Sequence, residues 1–263
     1  MLHADQITQF HNTGFLAITT PVLSAAEIER LREIYDRMFD QRAGREDGNQ
    51  FDLAGVDEEG KPEALSQILH PEQYFPELAG DYLPRIDAIA KQLLGPEART
   101  EIFHAILKPA SVGAPTPWHQ DEAYWDPSMQ YRSISLWMPL QDVDEDNGCM
   151  WFEEGSHEWD VLDHQSIGGD VRVHGLELID DSVISRPRAC PLPAGGLTIH
   201  RNRTVHYAGP NRTNGARRAL IFSATLPDQP FRGDRRFLWN ERKQTARAQR
   251  GAAGDLAGAP GAG

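Results

Sequence analysis

Ile28, Leu31, Ile34, Tyr35, Met38 and Phe39 recur at spacings of three, three, one, three and one, which is one face of a helix. Ser24 followed by Glu27 is a capping-box pattern, and Leu23 with Ile28 takes the hydrophobic-staple positions, so this helix is expected to start just after Ser24. A second apolar face, running from Leu78 to Leu94, predicts a helix over about 76–94 that stops at Gly95-Pro96 and is kinked or delayed by Pro84. A shorter helix over about 5–12, N-capped by Asp5, ends at Gly14 and feeds a strand at Phe15–Ile18. Residues 41–63 are polar with no period and are expected to form a mobile loop of the kind that closes over a site.

From residue 101 the pattern changes to short β-like runs, EIFHAILK, RSISLWMPL, CMWFEE, GLTIH, VHYAG and RALIFSATL, separated by Pro, Gly, Asn and Asp. Strands at this spacing predict an antiparallel sandwich or barrel. The expected architecture is therefore mostly β: a double-stranded β-helix, or cupin-like jelly roll, over about 101–230 beneath an N-terminal helical layer over about 1–100. Residues 157–190 break the rhythm and are expected to cross one mouth of the barrel. Residues 1–245 read as a single domain. Residues 246–263 read as a disordered tail, since ten of the last 13 are Gly or Ala.

Composition narrows the function. The net charge of −13 argues against a protein built to neutralise nucleic-acid phosphates. No window approaches 18 consecutive apolar residues and the start lacks a secretory pattern, so no membrane association and a cytoplasmic address are expected. Cys149 and Cys190 are too few for a disulfide framework. The charge is uneven: residues 1–200 hold 14 Lys+Arg against 35 Asp+Glu, and residues 201–263 hold 12 against 4. The C-terminal arginines either pair with acidic loops or form a basic mouth for an anionic small-molecule substrate.

Three His-x-Asp/Glu triplets occur where this composition gives roughly one or two by chance, so a bare match decides nothing. His3-Ala-Asp5 is explained by helix capping and His70-Pro-Glu72 by a turn. His119-Gln-Asp121 differs in its setting, PTPWHQDEAYW, which places aromatic residues beside it after a strand. On extended backbone His119 and Asp121 share a face and Gln120 points away. His206, 87 residues on, ends another β-like run and precedes Arg217 by 11 residues, which makes it the best third ligand. Two histidines and a carboxylate on one side of a metal suit non-haem Fe(II). His200, six residues before His206, is read instead as a packing residue or one behind the ligands, and His157, His164 and His174 as loop residues that face substrate.

The strings PWHQDEAYW at 117–125, NGCMWFEEGSH at 147–157 and HYAGPNRTNGARRAL at 206–220 resemble the phytanoyl-CoA dioxygenase branch of the Fe(II)/2-oxoglutarate-dependent oxygenases. The resemblance runs from about Ile102 to Ser223. It implies that His119, Asp121 and His206 hold Fe(II), that 2-oxoglutarate and dioxygen are co-substrates, and that a C–H bond of a small or medium-sized molecule is oxidised with release of succinate and carbon dioxide. Arg217 would grip the distal carboxylate of 2-oxoglutarate, and Arg218 is its rival, sent by strand alternation to the opposite face. Trp137 and His104 would line the co-substrate pocket, and Gln120 is counted among the co-substrate contacts despite its alternation. Asp121 fills the place a halide would need, which favours hydroxylation over halogenation. Family members often carry a Ser two residues after the last ligand, where this chain has Ala208. A jelly-roll hydrolase or isomerase and a non-catalytic binding module are the alternatives, and the intact set of His119, Asp121, His206 and Arg217 argues against both.

Overall fold

The computed structural model describes residues 1–111 and 114–258. Helix α1 is Ala4–Thr13, α2 is Ala25–Asp40 and α3 is Leu83–Leu94. α2 starts where its capping pattern places it: the Glu27 N–H donates to Ser24 Oγ, and the Ser24 N–H donates to the Glu27 carboxylate at 2.7 Å. α1 is capped by His3 rather than Asp5, because the Gln6 side chain reaches back to the His3 N–H at 2.9 Å. Its exit needs Gly14, which has φ +85° and whose added Cβ would sit 2.4 Å from His157 Nδ1. α3 begins later than its apolar face suggests, since Pro84 is tolerated only in a first turn, and Pro76–Leu78 forms a separate 3₁₀ turn.

Two antiparallel sheets form the jelly roll. The larger runs, in spatial order, β1 (Phe15–Ile18), β12 (Leu197–Arg201), β7 (Ser133–Pro139), β14 (Arg217–Thr225), β4 (Arg99–Lys108), β3 (Ser66–Leu69) and β2 (Gln50–Asp52). The smaller runs β11 (Pro187–Cys190), β8 (Met150–Glu153), β13 (His206–Ala208) and β5 (Thr116–His119). Two short ribbons, β9 (His164–Ser166) with β10 (Leu176–Leu178) and β6 (Met129–Gln130) with β15 (Gln229–Pro230), complete the β structure. Short helices α4 (Leu238–Glu241) and α5 (Ala246–Gly258) follow.

Period-two alternation divides the larger sheet between two cores. Ile134, Leu136 and Met138 of β7 and Leu220 and Phe222 of β14 pack outward against Leu31, Tyr35, Met38 and Ile86 of α2 and α3. Trp137, Ala219 and Ile221, on the opposite faces, pack inward against Met150, Phe152 and Cys190 of the smaller sheet. The functional cavity lies between the sheets, so residues at every second position of β7 and β14 reach it. Among the described residues no helix is long and apolar enough to cross a membrane.

Two expectations need correction. Residues 41–63 are not an unpaired loop: Gln50–Asp52 is a strand of the larger sheet, Phe51 and Leu53 form a small core with Leu65, and the Asp52 carboxylate accepts the N–H groups of Ala54, Ala64 and Leu65. The layer over 1–100 accordingly contributes, besides the expected β1, two further strands to the jelly roll, which were hidden because polar residues such as Gln50, Asp52, Ser66 and Gln67 are buried through hydrogen bonds that leave no apolar period. The tail is not disordered from residue 246: Ala246–Gly258 is helical and is fastened by Arg250 to Asp57 and by Arg247 to the Gly48 carbonyl. Gly/Ala composition hid arginines whose partners lie some 200 residues away. Residues 259–263 lie outside the described residues.

Candidate active site

β5 and β13 are neighbours in the smaller sheet, with His119 directly opposite His206. A register shift in this pair sets Thr116 opposite Ala208, so Thr116 and His119, three residues apart, both line the cavity. The chain is still extended at Gln120 and then enters a 3₁₀ turn at Asp121, which brings the carboxylate back toward the histidines. Asp121 Oδ1 lies 3.8 Å from His119 Nε2 and 3.5 Å from His206 Nε2, and a ligand atom from each residue lies within 4.8 Å of the others.

Each imidazole is fixed through its other nitrogen. His119 Nδ1 donates to the Pro117 carbonyl at 2.7 Å and His206 Nδ1 to the Thr204 carbonyl at 2.9 Å. These bonds set the tautomer in which Nε2 presents a lone pair to the space between the rings. Burial lowers the pKa of both, and for His206 the neighbouring His119 adds to the effect, so both are neutral near pH 7. Burial would raise the Asp121 carboxyl, but the surrounding His206, His200 and His119 prevail and hold it well below the usual carboxylate range. Its second oxygen, Oδ2, accepts from Ser135 Oγ at 2.9 Å and from His200 Nε2 at 3.2 Å. Neutral nitrogens and one ionised oxygen converging on one point form a donor set suited to a divalent ion such as Fe(II).

Arg217 opens the other end of the cavity. It is 2% exposed, its guanidinium carbon lies 5.4 Å from the centre of the Trp137 ring, and its Nε and Nη1 are buried without a hydrogen-bond partner among the described residues. Burial lowers its pKa to about 10, so the group remains charged at neutral pH. A buried guanidinium with unmatched N–H donors is costly unless a carboxylate fills the space in front of it. Arg218 instead faces α2 and pairs with Asp36 at 2.6 and 2.9 Å, as strand alternation requires.

The cavity holds about 270 Å³ and is lined mainly by apolar and aromatic side chains, among them Leu53, Leu69, Phe103, Ile106, Tyr124 and Trp125. His104 reaches it, stacked on Phe103 with ring centres 4.0 Å apart, and burial lowers its pKa to about 3. Trp137 and Ala208 also line it. Gln120 does not, which corrects its place among the co-substrate contacts: its amide nitrogen donates to the Arg203 and Asp160 carbonyls and its oxygen accepts the Leu162 N–H. It braces the 157–190 excursion, as its alternation indicated. Of the loop histidines only His174 lines the cavity. His164 accepts the Gln120 N–H at 3.1 Å, and His157 packs under α1 with its Nε2 3.2 Å from the His11 carbonyl.

Gln67, Thr116, Ser135 and Arg247 are polar cavity residues that escaped the sequence reading. Ser135 stands two positions before Trp137 on the same strand face, so alternation alone could have found it. Thr116 needed the register shift, and Arg247 needed the path of the C-terminal segment, neither of which leaves a local signal.

Residues 10–219 match the phytanoyl-CoA dioxygenase (PhyH) family. The chain belongs to the phytanoyl-CoA dioxygenase family. A curated relative of this family, a probable alpha-ketoglutarate-dependent hypophosphite dioxygenase from Stutzerimonas stutzeri, is 27% identical over 233 residues, covering 86% of this chain and 80% of its own. An L-proline trans-4-hydroxylase from Streptomyces griseoviridis is 26% identical over 64% of this chain and 73% of its own. Among solved structures, EvdO2 from Micromonospora carbonacea var. aurantiaca superposes with a TM-score of 0.79 at 37% identity, covering 91% of this chain and 97% of its own. The same protein has been solved in complex with 2-oxoglutarate, with a TM-score of 0.77 at 34% identity. The phytanoyl-CoA dioxygenase family member described here is an Fe(II)/2-oxoglutarate-dependent oxygenase on a jelly-roll fold.

Proposed function

We propose that His119, Asp121 and His206 hold Fe(II), that Arg217 binds the distal carboxylate of 2-oxoglutarate, and that the enzyme hydroxylates, or otherwise oxidises a C–H bond of, a small organic molecule carrying an anionic group. The observation that carries the reading is the convergence of two Nε2 atoms and one carboxylate oxygen, each imidazole fixed from behind by a backbone carbonyl. The unmatched donors of Arg217 at the far end of the same cavity support the co-substrate role. Iron and 2-oxoglutarate, when bound, supply dioxygen activation coupled to oxidative decarboxylation, giving succinate and carbon dioxide.

The residues of the chain orient and enclose this chemistry. Ser135 and His200 occupy Asp121 Oδ2 and so leave Oδ1 for the metal. The Trp137 ring lies against the Arg217 guanidinium at cation–π distance and helps to hold it in the cavity. Thr116, opposite Ala208, offers the hydroxyl that relatives with a Ser at position 208 would supply from there. His104, neutral and stacked on Phe103, forms an aromatic wall beside the co-substrate, and the apolar lining excludes water. An anionic substrate is supported by relatives named for hypophosphite and L-proline and by the basic residues at the cavity. A cytoplasmic location is part of the reading and is supported by two free, buried cysteines.

Anaerobic titration of the Fe(II)-loaded protein with 2-oxoglutarate tests it. The expected result is a weak visible charge-transfer band that is lost with Asp121→Ala and needs about tenfold or more co-substrate with Arg217→Ala. Iron binding without a band at any 2-oxoglutarate concentration would refute the assignment.

A further inference from the structure

Two cations at the cavity have no part in that chemistry. Arg247, near the start of α5, stands in the cavity wall. Its guanidinium carbon lies 4.6 Å from the centre of the Phe51 ring, its Nε donates to the Gly48 carbonyl at 2.8 Å, and its Nη1 lies 3.5 Å from His174 Nε2. Four residues earlier, Lys243 Nζ lies 4.7 Å from the centre of the Tyr124 ring, and Tyr124 lines the same cavity.

Among the described residues neither cation has a carboxylate within ion-pair distance. A shortage of acid does not explain this in a chain of net charge −13. Of the half-buried basic residues in the same C-terminal segment, Arg235 pairs with Glu122 and Arg250 with Asp57, whereas Arg232 and Arg242, which also lack an acidic partner among the described residues, are exposed. Lys243 is not simply solvated either, since burial and the adjacent Arg247 lower its pKa to about 7. Two like charges at a partly dry surface oppose folding unless something offsets them.

Charge balance shows what is missing. Among the described residues Asp121 is the sole carboxylate in the cavity lining. A divalent iron, the Asp121 carboxylate, the two carboxylates of 2-oxoglutarate and Arg217 together sum to zero. The loaded inner site is therefore neutral, and two cations remain uncompensated: Arg247, in the cavity wall with Leu53, Leu69, Phe103 and Trp125, and Lys243, against the ring of the lining residue Tyr124.

We propose that Arg247 and Lys243, carried to the cavity by the C-terminal segment, recognise a carboxylate or phosphate on the substrate while its apolar body lies along that wall and the carbon to be oxidised points inward. The inference rests on the oxygenase reading above and adds to it the recognition element and the end of the substrate it grips.

The test uses the full-length protein loaded anaerobically with Fe(II) and 2-oxoglutarate, so that Arg217 is already occupied. Phenylacetate, phenyl phosphate and neutral 2-phenylethanol are titrated by calorimetry at constant ionic strength. At least one anion is expected to bind, with the alcohol weaker by about tenfold or more, and the stronger of the two anions distinguishes carboxylate from phosphate recognition. The Lys243→Gln/Arg247→Gln double variant is expected to lose about tenfold or more in anion affinity. The charge-conserving Lys243→Arg/Arg247→Lys variant is expected to keep most of it, which separates recognition from folding. Absence of anion binding to wild type, equal binding of the alcohol, or undiminished anion binding to the neutralised variant would overturn the proposal. The 2-oxoglutarate band is read in the same samples: a band without anion preference overturns the recognition element alone, whereas no band in wild type overturns the oxygenase reading and this one with it.

Discussion

His200 shows how little separates a ligand from a positioning residue. It lies six residues before His206, its ring centre is 4.4 Å from that of His206, and it lines the same cavity. Its Nε2 is nonetheless spent on Asp121 Oδ2, while its Nδ1 is buried without a partner. A residue that holds a ligand in place acts on metal affinity. His200→Leu is expected to weaken Mn(II) binding by about tenfold or more, with His200→Gln, which still carries an N–H donor, recovering part of the loss. Metal calorimetry on the two variants checks this, and unchanged affinity in His200→Leu would show a packing role alone. At this scale the site was largely legible. His119, Asp121, His206 and Arg217 were picked out by a pattern shared with relatives, whereas the expected extended backbone from His119 to Asp121 gives way to a 3₁₀ turn that brings the carboxylate back. Gln120 was the misplaced residue, and strand alternation already argued against it.

The turn at Asp121–Tyr124 is held from outside the jelly roll. Glu122, 2% exposed, accepts from Arg203 at 2.9 Å and from Arg235 at 2.8 Å, and Trp239 and Asn240 donate to the Ala123 carbonyl. Part of the positive C-terminal third is thus internal pairing that fixes the ligand-bearing turn, and the remainder includes Lys243 and Arg247. Removing both partners leaves a buried, uncompensated carboxylate. Arg203→Ala/Arg235→Ala is expected to lower unfolding stability by about 3 kcal/mol or more, and adding Glu122→Gln to restore part of it. Urea unfolding of the three proteins measures both changes, and a double variant as stable as wild type would contradict this account. Elements with an apolar period were legible: α2 begins at its capping box, and β7 and β14 alternate as read. The strands at 50–52 and 66–69 were hidden because their buried polar groups are satisfied by partners distant in sequence, such as Ser66 for Gln50.

Stability of the molecule as a whole depends on pH through three buried histidines. His119, His164 and His206 are each at most 6% exposed, and burial lowers the pKa of all three, to about 3 for His164. A folded-state pKa below the unfolded value of about 6.5 means that the unfolded chain takes up protons first as pH falls. Their contribution is therefore fully present above about pH 6.5 and declines as pH falls below it, for His164 down to about pH 3, by up to about 1.4 kcal/mol per pH unit for each group within its window. The metal-free protein is expected to show a urea midpoint that falls from pH 7 to pH 5, and His164→Gln to reduce the slope. A midpoint independent of pH across that interval would contradict the burial argument.

Local sequence accounts for the two kinds of element, the change of period near residue 101, and the choice of the four residues on which the proposed oxygenase site rests. Those features depend on local periodicity, capping and short motifs, which one stretch of chain contains entirely. Long-range packing sets which buried polar groups find partners, that strands β2 and β3 complete the sheet, that Ala246–Gly258 is a docked helix, and that Arg247 lines the cavity with Lys243 against Tyr124 in its wall. Each depends on groups far apart in sequence, such as Arg250 with Asp57 and Arg247 with Gly48, and their burial and pairing exist only once the chain has closed on itself.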